Sequence, residues 1–536
     1  MYNEVYAKYK FDWLQPMIEY NTVKKRVSRN TIRMIYLYPS LYEAMVASLS
    51  SHIIYYMINE EFEDVYLERT YLSSKQGPYY SLETKTTLRN FEFIVTSLHY
   101  ELDIANLVWM LHSSGIDPRN RFRSQPIIAG GPAVMSNPHP YSKIIDVAVI
   151  GEAEVTLPAI VEKWVENRFD KKRFLEEVSS LEYVYVPSID EPDEKIYRRY
   201  VEDLDSAFYP IKQFRSVNVE HPFGEGFMVE TSRGCRYWCR FCMESRLFKP
   251  YRSRSFGKLR EIIDQGLLTN NLNRVIIYSL SFPSSNVEKL IVRFIAEHGY
   301  SVSIPSLRLE YVEDDFLDLI KKAGQKSLTI APEHLCPTIQ RLIAKYMDLD
   351  LVLNSIYRII DHGFDVKMYL MYGFKNESLD DIRVMLDSIR KIASRAREKG
   401  AKVKISLNLL IPKPHTVFQW IGMIDLVRAR EILRYIKREL PGYVDTKLYE
   451  INYAWVQSAI SLSDQSISDV LIQWGLEGGG LGSWRRVLKK TGFSTKYVFE
   501  GYRFGEKLPW SNIALNEDLE KILLAEYEVW RRIIRC

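Results

Sequence analysis

The sequence predicts an α/β fold in three parts: a Rossmann-like N-terminal domain, a second strand-and-helix region built on six strands, and a mostly helical C-terminal region. Two observations carry this. Short apolar runs that end in polar or glycine turns alternate with helical patterns twice along the chain, once before residue 188 and again from residue 223. From about Gly422 the strand-like runs stop while helical periodicity continues, as over residues 426–439 and 518–532. A chain of 536 residues suits about two to four domains. The expected division is 1–188, a linker over 189–222, 223–421 and 422–536.

In the first part, the run over residues 32–37 ends at Tyr38-Pro39-Ser40 and leads into a helical pattern through Tyr42, Met45, Leu49, Ile53 and Met57. Phe93-Ile94-Val95-Thr96-Ser97, the run from Pro126 into Gly130-Gly131-Pro132, and Val147-Ala148-Val149-Ile150-Gly151-Glu152 repeat the form. Strands alternating with helices imply a parallel sheet covered on both faces, with ligands at the strand C-termini. Between residues 188 and 215 the chain turns charged and irregular around Asp190-Glu191-Pro192-Asp193-Glu194-Lys195, as at a crossing between domains. A new strand, Gly226-Phe227-Met228-Val229-Glu230, opens the second part, with further strands expected over 274–278, 302–305, 327–330, 366–371 and 403–410 and helices such as 314–322 and 379–398 between them.

Composition narrows the function classes. The chain is 46% hydrophobic, enough for large cores, and its net charge is +4 from 72 basic and 68 acidic residues, which gives no argument for nucleic acid or anionic membranes as general partners. The start, Met1-Tyr2-Asn3-Glu4, lacks the apolar core of a signal peptide, and no run approaches about 18 apolar residues, so a soluble, cytoplasmic protein is expected. No internal repeat or low-complexity segment is present. Gly478-Gly479-Gly480-Leu481-Gly482 lacks the Lys-Ser/Thr ending of a phosphate loop and follows no strand, so it reads as an interhelix connection. Trp474, Trp484, Trp510 and Trp530 read as core aromatics.

The chemistry concentrates in Thr231-Ser232-Arg233-Gly234-Cys235-Arg236-Tyr237-Trp238-Cys239-Arg240-Phe241-Cys242, which holds three of the five cysteines at CxxxCxxC spacing. Thiolates packed this closely after a glycine suit a metal or iron-sulfur site better than a disulfide framework. An iron-sulfur cube usually takes four cysteines, so a loop offering three leaves one iron open to a small molecule. Zinc or unreactive buried thiols are the bland alternatives, and zinc wants a fourth ligand. Neither Cys336 nor Cys536 stands in a second close cysteine pair.

Cys235, Cys239 and Cys242, with Phe241 before the last of them, resemble the cluster motif of the radical S-adenosylmethionine superfamily. The resemblance implies that these cysteines hold a 4Fe-4S cluster, that S-adenosylmethionine chelates the open iron, and that the reduced cluster splits the sulfonium to a 5'-deoxyadenosyl radical. It also implies a partial (β/α)6 TIM-type barrel with its chemistry at the C-terminal mouth, and an electron donor such as ferredoxin or flavodoxin. In relatives the aromatic at Phe241 flanks the adenine. The end of the second strand, here Ser279 and Ser281, holds the methionine amino group. Ser306 and Arg308 after the third strand, and Glu333 after the fourth, address the ribose or the methionine carboxylate. An arginine fork matches a carboxylate in two hydrogen bonds; salt bridges between barrel loops are the alternative for Arg308 and Glu333. Pro412, Pro414 and His415 read as shaping a loop after the sixth strand.

Tyr38-Pro39-Ser40-Leu41-Tyr42-Glu43, Gly130-Gly131-Pro132 with Asn137-Pro138, and Gly151-Glu152-Ala153-Glu154 resemble the cobalamin-binding-like domain of one branch of the superfamily. Lys249-Pro250-Tyr251-Arg252-Ser253-Arg254-Ser255, Ala331-Pro332-Glu333, Tyr369-Leu370-Met371-Tyr372-Gly373-Phe374 and Pro412-Lys413-Pro414-His415-Thr416 extend that likeness over residues 31–515. A domain that ligates cobalt from below carries DxHxxG after its first strand, and that motif is absent here. His52 lies further along the helical pattern and reads as structural. Cobalamin either binds without a protein histidine or has been lost. The expectation is an enzyme that abstracts hydrogen from an unactivated carbon of an unknown substrate or transfers a methyl or related group to it; the competing class is a scaffold protein stabilised by a cluster or zinc.

Overall fold

The computed structural model describes residues 17–73, 76–516 and 518–534. It consists of two compact units. The first comprises the described residues of Met1–Glu225, Ala459–Thr495 and Gly505–Glu517; the second comprises those of Gly226–Ser458, Lys496–Phe504 and Asp518–Cys536.

The first unit is built on a six-stranded sheet. Its strands are β1 (Ile32–Tyr38), β2 (Val65–Tyr71), β3 (Phe93–Ser97), β4 (Ile127–Gly130), β5 (Val147–Val149) and β6 (Val184–Tyr185), in the order β2-β1-β3-β4-β5-β6. Five run parallel and β6 is antiparallel. Strands covered on both faces read as unbroken apolar runs, as β1 does from Met34 to Tyr38. The order is that of a flavodoxin-like doubly wound sheet, in which the chain reverses direction across the sheet between β1 and β3 and leaves a crevice beyond their C-termini. Tyr38 and His99 face each other there, with ring centroids 5.9 Å apart.

The apolar pattern did not announce β2, because Glu68 and Arg69 stand at its middle. Both are buried, and each is neutralised by residues distant in sequence: Glu68 by Arg33, and Arg69 by Glu19 at 2.8 Å and Glu83 at 2.7 Å. The Arg69 guanidinium also lies 4.4 Å from the Tyr55 ring centroid and 4.0 Å from that of Phe214. A strand carrying buried charge is stable only once these partners are in place.

The later segments of this unit pack onto the same domain. The helix Ser468–Leu476 meets the helix Asp103–Ser113 at Gly475, where a β-carbon would lie 2.5 Å from that of Val108. Asn137 donates to the carbonyls of Ser461 and Ser463 at 3.0 and 2.7 Å, and Ile513–Ala514 pairs parallel with Ile196–Tyr197. Gly478 and Gly479 turn the chain between two helices with left-handed φ of 86° and 69°, the connection expected there. Trp474, Trp484 and Trp510 are core residues.

The second unit carries β7 (Phe227–Glu230), β8 (Arg274–Tyr278), β9 (Ser301–Ser303), β10 (Ser327–Glu333), β11 (Asp365–Tyr372), β12 (Val403–Leu409) and β13 (Asp445–Leu448). Neighbours within β7-β8-β9 and within β10-β11-β12-β13 pair in parallel. Leu307 bridges Phe282 on one side and Ile330 on the other, joining the two groups. With a helix after nearly every strand, this is the partial barrel expected of six strands, extended by β13. The alternation therefore runs past Gly422, through the helix Leu426–Glu439, to a seventh strand. Asp445-Thr446-Lys447-Leu448 is a half-exposed edge with no apolar run, which leaves no periodic signal to read.

Helix starts follow local chemistry. Ser255, Asp348 and Asp425 cap the helices Phe256–Asn270, Leu349–Asp361 and Leu426–Glu439, and Ser378 with Asp381 forms a capping box for Leu379–Glu398. The helix Phe256–Asn270 lies so close to β7 that a β-carbon on Gly266 would come within 2.1 Å of the Phe227 ring.

Candidate active site at the barrel mouth

Parallel strands place all their C-termini at one end, so the loops after β7 to β12 converge. The loop after β7 turns at Gly234, φ 85°, where a β-carbon would lie 2.4 Å from the Phe248 carbonyl oxygen and 2.6 Å from that of Pro250. Only glycine passes. Ser232–Arg233 pairs antiparallel with Arg252–Ser253 and closes the cysteine segment into a loop. Its carbonyls are held one by one: Lys249 Nζ donates to Cys235 O at 2.9 Å, Arg246 Nη1 to Cys239 O at 2.8 Å, and Ser245 Oγ to Cys242 O at 2.8 Å. Cys235 and Cys239 are buried and Cys242 half-buried, all three as free thiols. Burial pushes the Cys239 thiol up and that of Cys242 up to about 12, so iron binding must displace their protons.

Cys336 lies outside this loop. It stands at the N-cap position of the helix Pro337–Leu342, donates to Asp381 at 3.1 Å and belongs to the apolar cluster of Ile339, Phe374 and Phe418. Cys536 and the segment Met1-Tyr2-Asn3-Glu4 lie outside the described residues. Among the described residues no three His, Cys, Asp or Glu side chains converge on the position of one metal ion. A cube does not ask for that, since each thiolate takes its own iron.

The loop after β8 meets the cysteine loop through hydroxyls. Ser279 Oγ lies 2.9 Å from Ser232 Oγ, and Ser281 Oγ bonds Ser284 Oγ. Beneath them Glu288, fully buried, accepts from Thr231 Oγ1 at 2.7 Å, from Ser232 Oγ at 2.9 Å and from the Ser284 backbone N–H. Glu288 escaped the sequence reading: an acid in the first turn of the helix Asn286–Glu297 reads as a dipole partner. Only the fold turns it inward beneath both loops.

After β9, Arg308 pairs with Glu310 and lays its guanidinium 3.3 Å from the ring centroid of Tyr237, a cysteine-loop residue. Ser306, two residues earlier, is half-buried. After β10, Glu333 sits at a bulge with φ 63° and pairs with Lys345 at 3.0 Å. Lys345 was also missed, because it follows a short helix with no motif around it. Glu333 and Cys239 raise its ammonium pKa, and Lys345 and Arg308 in turn pull on the Cys239 thiol. Arg308, Glu333 and Lys345 thus all act electrostatically on Cys239. Phe241 packs as a half-buried ring against the apolar cluster of Ile339, Leu342, Met371 and Leu410. His415 is buried and shapes its loop, with φ 58° and its N–H on Gln419 Oε1 at 2.9 Å.

His52 is a core residue. Its Nε2 bonds the Val46 carbonyl at 2.9 Å and its ring stacks 3.8 Å from that of Phe214, and burial depresses its pKa to about 3.

Two family models match the chain: "Radical SAM proteins, N-terminal" over residues 50–187 and "Radical SAM superfamily" over residues 229–389. An uncharacterised protein of Methanocaldococcus jannaschii is 29% identical over 484 residues, 89% of this chain and 98% of the relative. An uncharacterised methyltransferase of Pyrococcus horikoshii is 22% identical over 276 residues, 50% of this chain and 58% of the relative. Among solved structures, the radical S-adenosylmethionine methyltransferase TsrM of Kitasatospora setae, determined with cobalamin and a [4Fe-4S] cluster, shares the fold. Its TM-score is 0.53, over 86% of this chain and 99% of that one, at 11% identity. The chain belongs to the radical S-adenosylmethionine superfamily. It is a radical S-adenosylmethionine enzyme, and its cofactors are a 4Fe-4S cluster and S-adenosylmethionine. Among the described residues no helix is long and apolar enough to cross a membrane.

Proposed function

We propose that Cys235, Cys239 and Cys242 hold three irons of the cluster, and that Ser279, Ser281, Ser306, Arg308, Glu333 and Phe241 line the place of S-adenosylmethionine over the fourth. The observation that carries this is the convergence of one three-thiol loop with two separate barrel loops: Ser232 on Ser279, and Tyr237 under Arg308. A reduced cluster held by these cysteines, with S-adenosylmethionine beside it, would supply one-electron cleavage of the sulfonium carbon–sulfur bond and through it hydrogen abstraction from the substrate. The protein's own part is to orient and to exclude water. Glu288 fixes the Ser232 hydroxyl that meets Ser279, and Arg308 presents donors suited to a carboxylate. The electron comes from a one-electron carrier of the ferredoxin or flavodoxin class.

Methyl transfer through cobalamin is the second reading, favoured by the flavodoxin-like strand order and its crevice between β1 and β3. The fold shared with TsrM supports it. His52, buried in the core, would not be the lower ligand of cobalt; His99 follows β3 by two residues, with its ring against Tyr38. Nitrogen hyperfine structure in the Co(II) electron paramagnetic resonance spectrum that vanishes in His52→Ala would overturn this.

The test of the main reading is anaerobic reconstitution followed by iron and sulfide counting and mass spectrometry of 5'-deoxyadenosine with dithionite and S-adenosylmethionine. Cys336→Ser should keep the full cluster, and Cys239→Ala, the blank, should lose it. Wild type that binds no S-adenosylmethionine by calorimetry and forms no 5'-deoxyadenosine above that blank, even with cell extract as a source of substrate, would return the protein to the scaffold class.

A further inference from the structure

Residues 233–254 carry seven basic side chains, Arg233, Arg236, Arg240, Arg246, Lys249, Arg252 and Arg254, against one acid, Glu244. Several have carboxylate partners. Arg233 meets Glu230 at 2.9 Å, Arg254 meets Glu230 at 3.7 Å, and Arg240 meets Glu526 at 2.6 Å.

Arg246 is different. It is 1% exposed. Nη1 donates to the Cys239 carbonyl at 2.8 Å and to Ser245 Oγ, Nη2 donates to the Trp238 carbonyl at 3.3 Å, and the guanidinium lies 5.1 Å from the Trp238 ring centroid. Nε is buried without a hydrogen-bond partner. Every hydrogen-bonded group is neutral, and among the described residues no carboxylate forms an ion pair with it. The Glu526 carboxylate is paired with Arg240 and acts on Arg246 only at longer range, and Lys413 acts on Glu244.

A guanidinium does not give up its proton in a protein. Left without a countercharge in the interior, a cation is strongly destabilising. The groups around Arg246 that become anionic are the cysteines: it holds the carbonyl of Cys239, and its neighbour Ser245 holds that of Cys242. Burial pushes the guanidinium pKa down, and Cys242, Cys239, Glu526 and Cys235 push it back up.

We propose that Arg246 is the countercation of the iron-sulfur cluster, a positioning residue that fixes the cysteine loop through two carbonyls and raises the potential at which the cluster accepts its electron. This rests on the three-cysteine reading above. An oxidised cube on three thiolates is already anionic, and reduction adds a further negative charge beside a buried cation that forms no ion pair with a carboxylate among the described residues. The cation therefore favours the reduced state.

The experiment compares wild type, Arg246→Met and Arg246→Lys after anaerobic reconstitution, by iron content, by redox titration followed by electron paramagnetic resonance, and by thermal unfolding of the metal-free proteins. Arg246→Met should lower the midpoint potential by the equivalent of at least tenfold in the reduction equilibrium, about 59 mV for one electron, and Arg246→Lys should recover most of that shift. Metal-free Arg246→Met loses both a buried charge and the bonds to two carbonyls, so the metal-free unfolding curves serve to show that both variants are folded before their midpoints are compared. An unchanged midpoint in Arg246→Met at full iron content would overturn the proposal. If Arg246→Met fails to hold iron, Arg246→Lys decides: a wild-type midpoint supports the proposal, and loss of iron there too rejects it. Wild type that binds no iron would reject the cysteine reading itself, and the countercation with it.

Discussion

At Gly234 a hydrogen atom in place of a side chain lets the cysteine loop pass under the carbonyls of Phe248 and Pro250. Gly234→Ala would force a β-carbon to within 2.4 Å of one of them at φ 85°. Overpacking costs about 1–3 kcal/mol and the left-handed backbone about 1 kcal/mol more, so this variant should melt several degrees lower and retain less iron after reconstitution. His52 sets a residue-scale pH dependence. Its native pKa is about 3 against an ordinary 6.5, so above pH 6.5 it is neutral in both states and contributes no slope. Below that, the unfolded chain takes up a proton the native core refuses, and stability falls by about 1.4 kcal/mol per pH unit toward pH 3. His52→Gln should flatten the pH dependence of unfolding between pH 6.5 and 4 by about that slope. A variant whose profile parallels wild type would show that the imidazole takes up its proton in the native state.

Among the elements, the contact between the helix Phe256–Asn270 and β7 is the one that aims the cysteine loop. Gly266 meets the Phe227 ring with no room for a methyl group. Gly266→Ala should therefore destabilise the second unit by about 1–3 kcal/mol, despite the better helix propensity of alanine. Phe227→Leu should restore part of the loss in the double variant, and a double-mutant cycle by denaturant unfolding measures the coupling. Simple additivity of the two changes would show that the helix shifts instead of clashing.

For the whole molecule, the segments after residue 458 are divided between the units, so truncations sort by unit. Removing residues 518–536 takes away Glu526, the partner of Arg240 on the cysteine loop, and Trp530 from the apolar cluster that supports Phe241. It leaves Trp474, Trp484 and the Asn137 bonds to Ser461 and Ser463 in place. Scanning calorimetry of the metal-free truncated chain should show the transition of the second unit lowered and that of the first unchanged. Equal lowering of both would contradict the division.

Read alone, the sequence determined what is local. CxxxCxxC after glycine is chemistry written in consecutive residues, and β1, β3 and β11 carry enough apolar side chains to be read as strands without partners. What it could not determine depends on residues that meet only after folding. The strand β2 hides behind Glu68 and Arg69 until Arg33, Glu19 and Glu83 neutralise them. The edge β13 has no core face to show. Glu288, Lys345 and Arg246 look like ordinary charged residues of short helices and loops. Only the tertiary structure turns Glu288 under the serines, sets Lys345 against Glu333, and buries Arg246 against the carbonyls of the cysteine loop. A charge acquires its meaning from the groups that replace its water, and those come from distant parts of the chain.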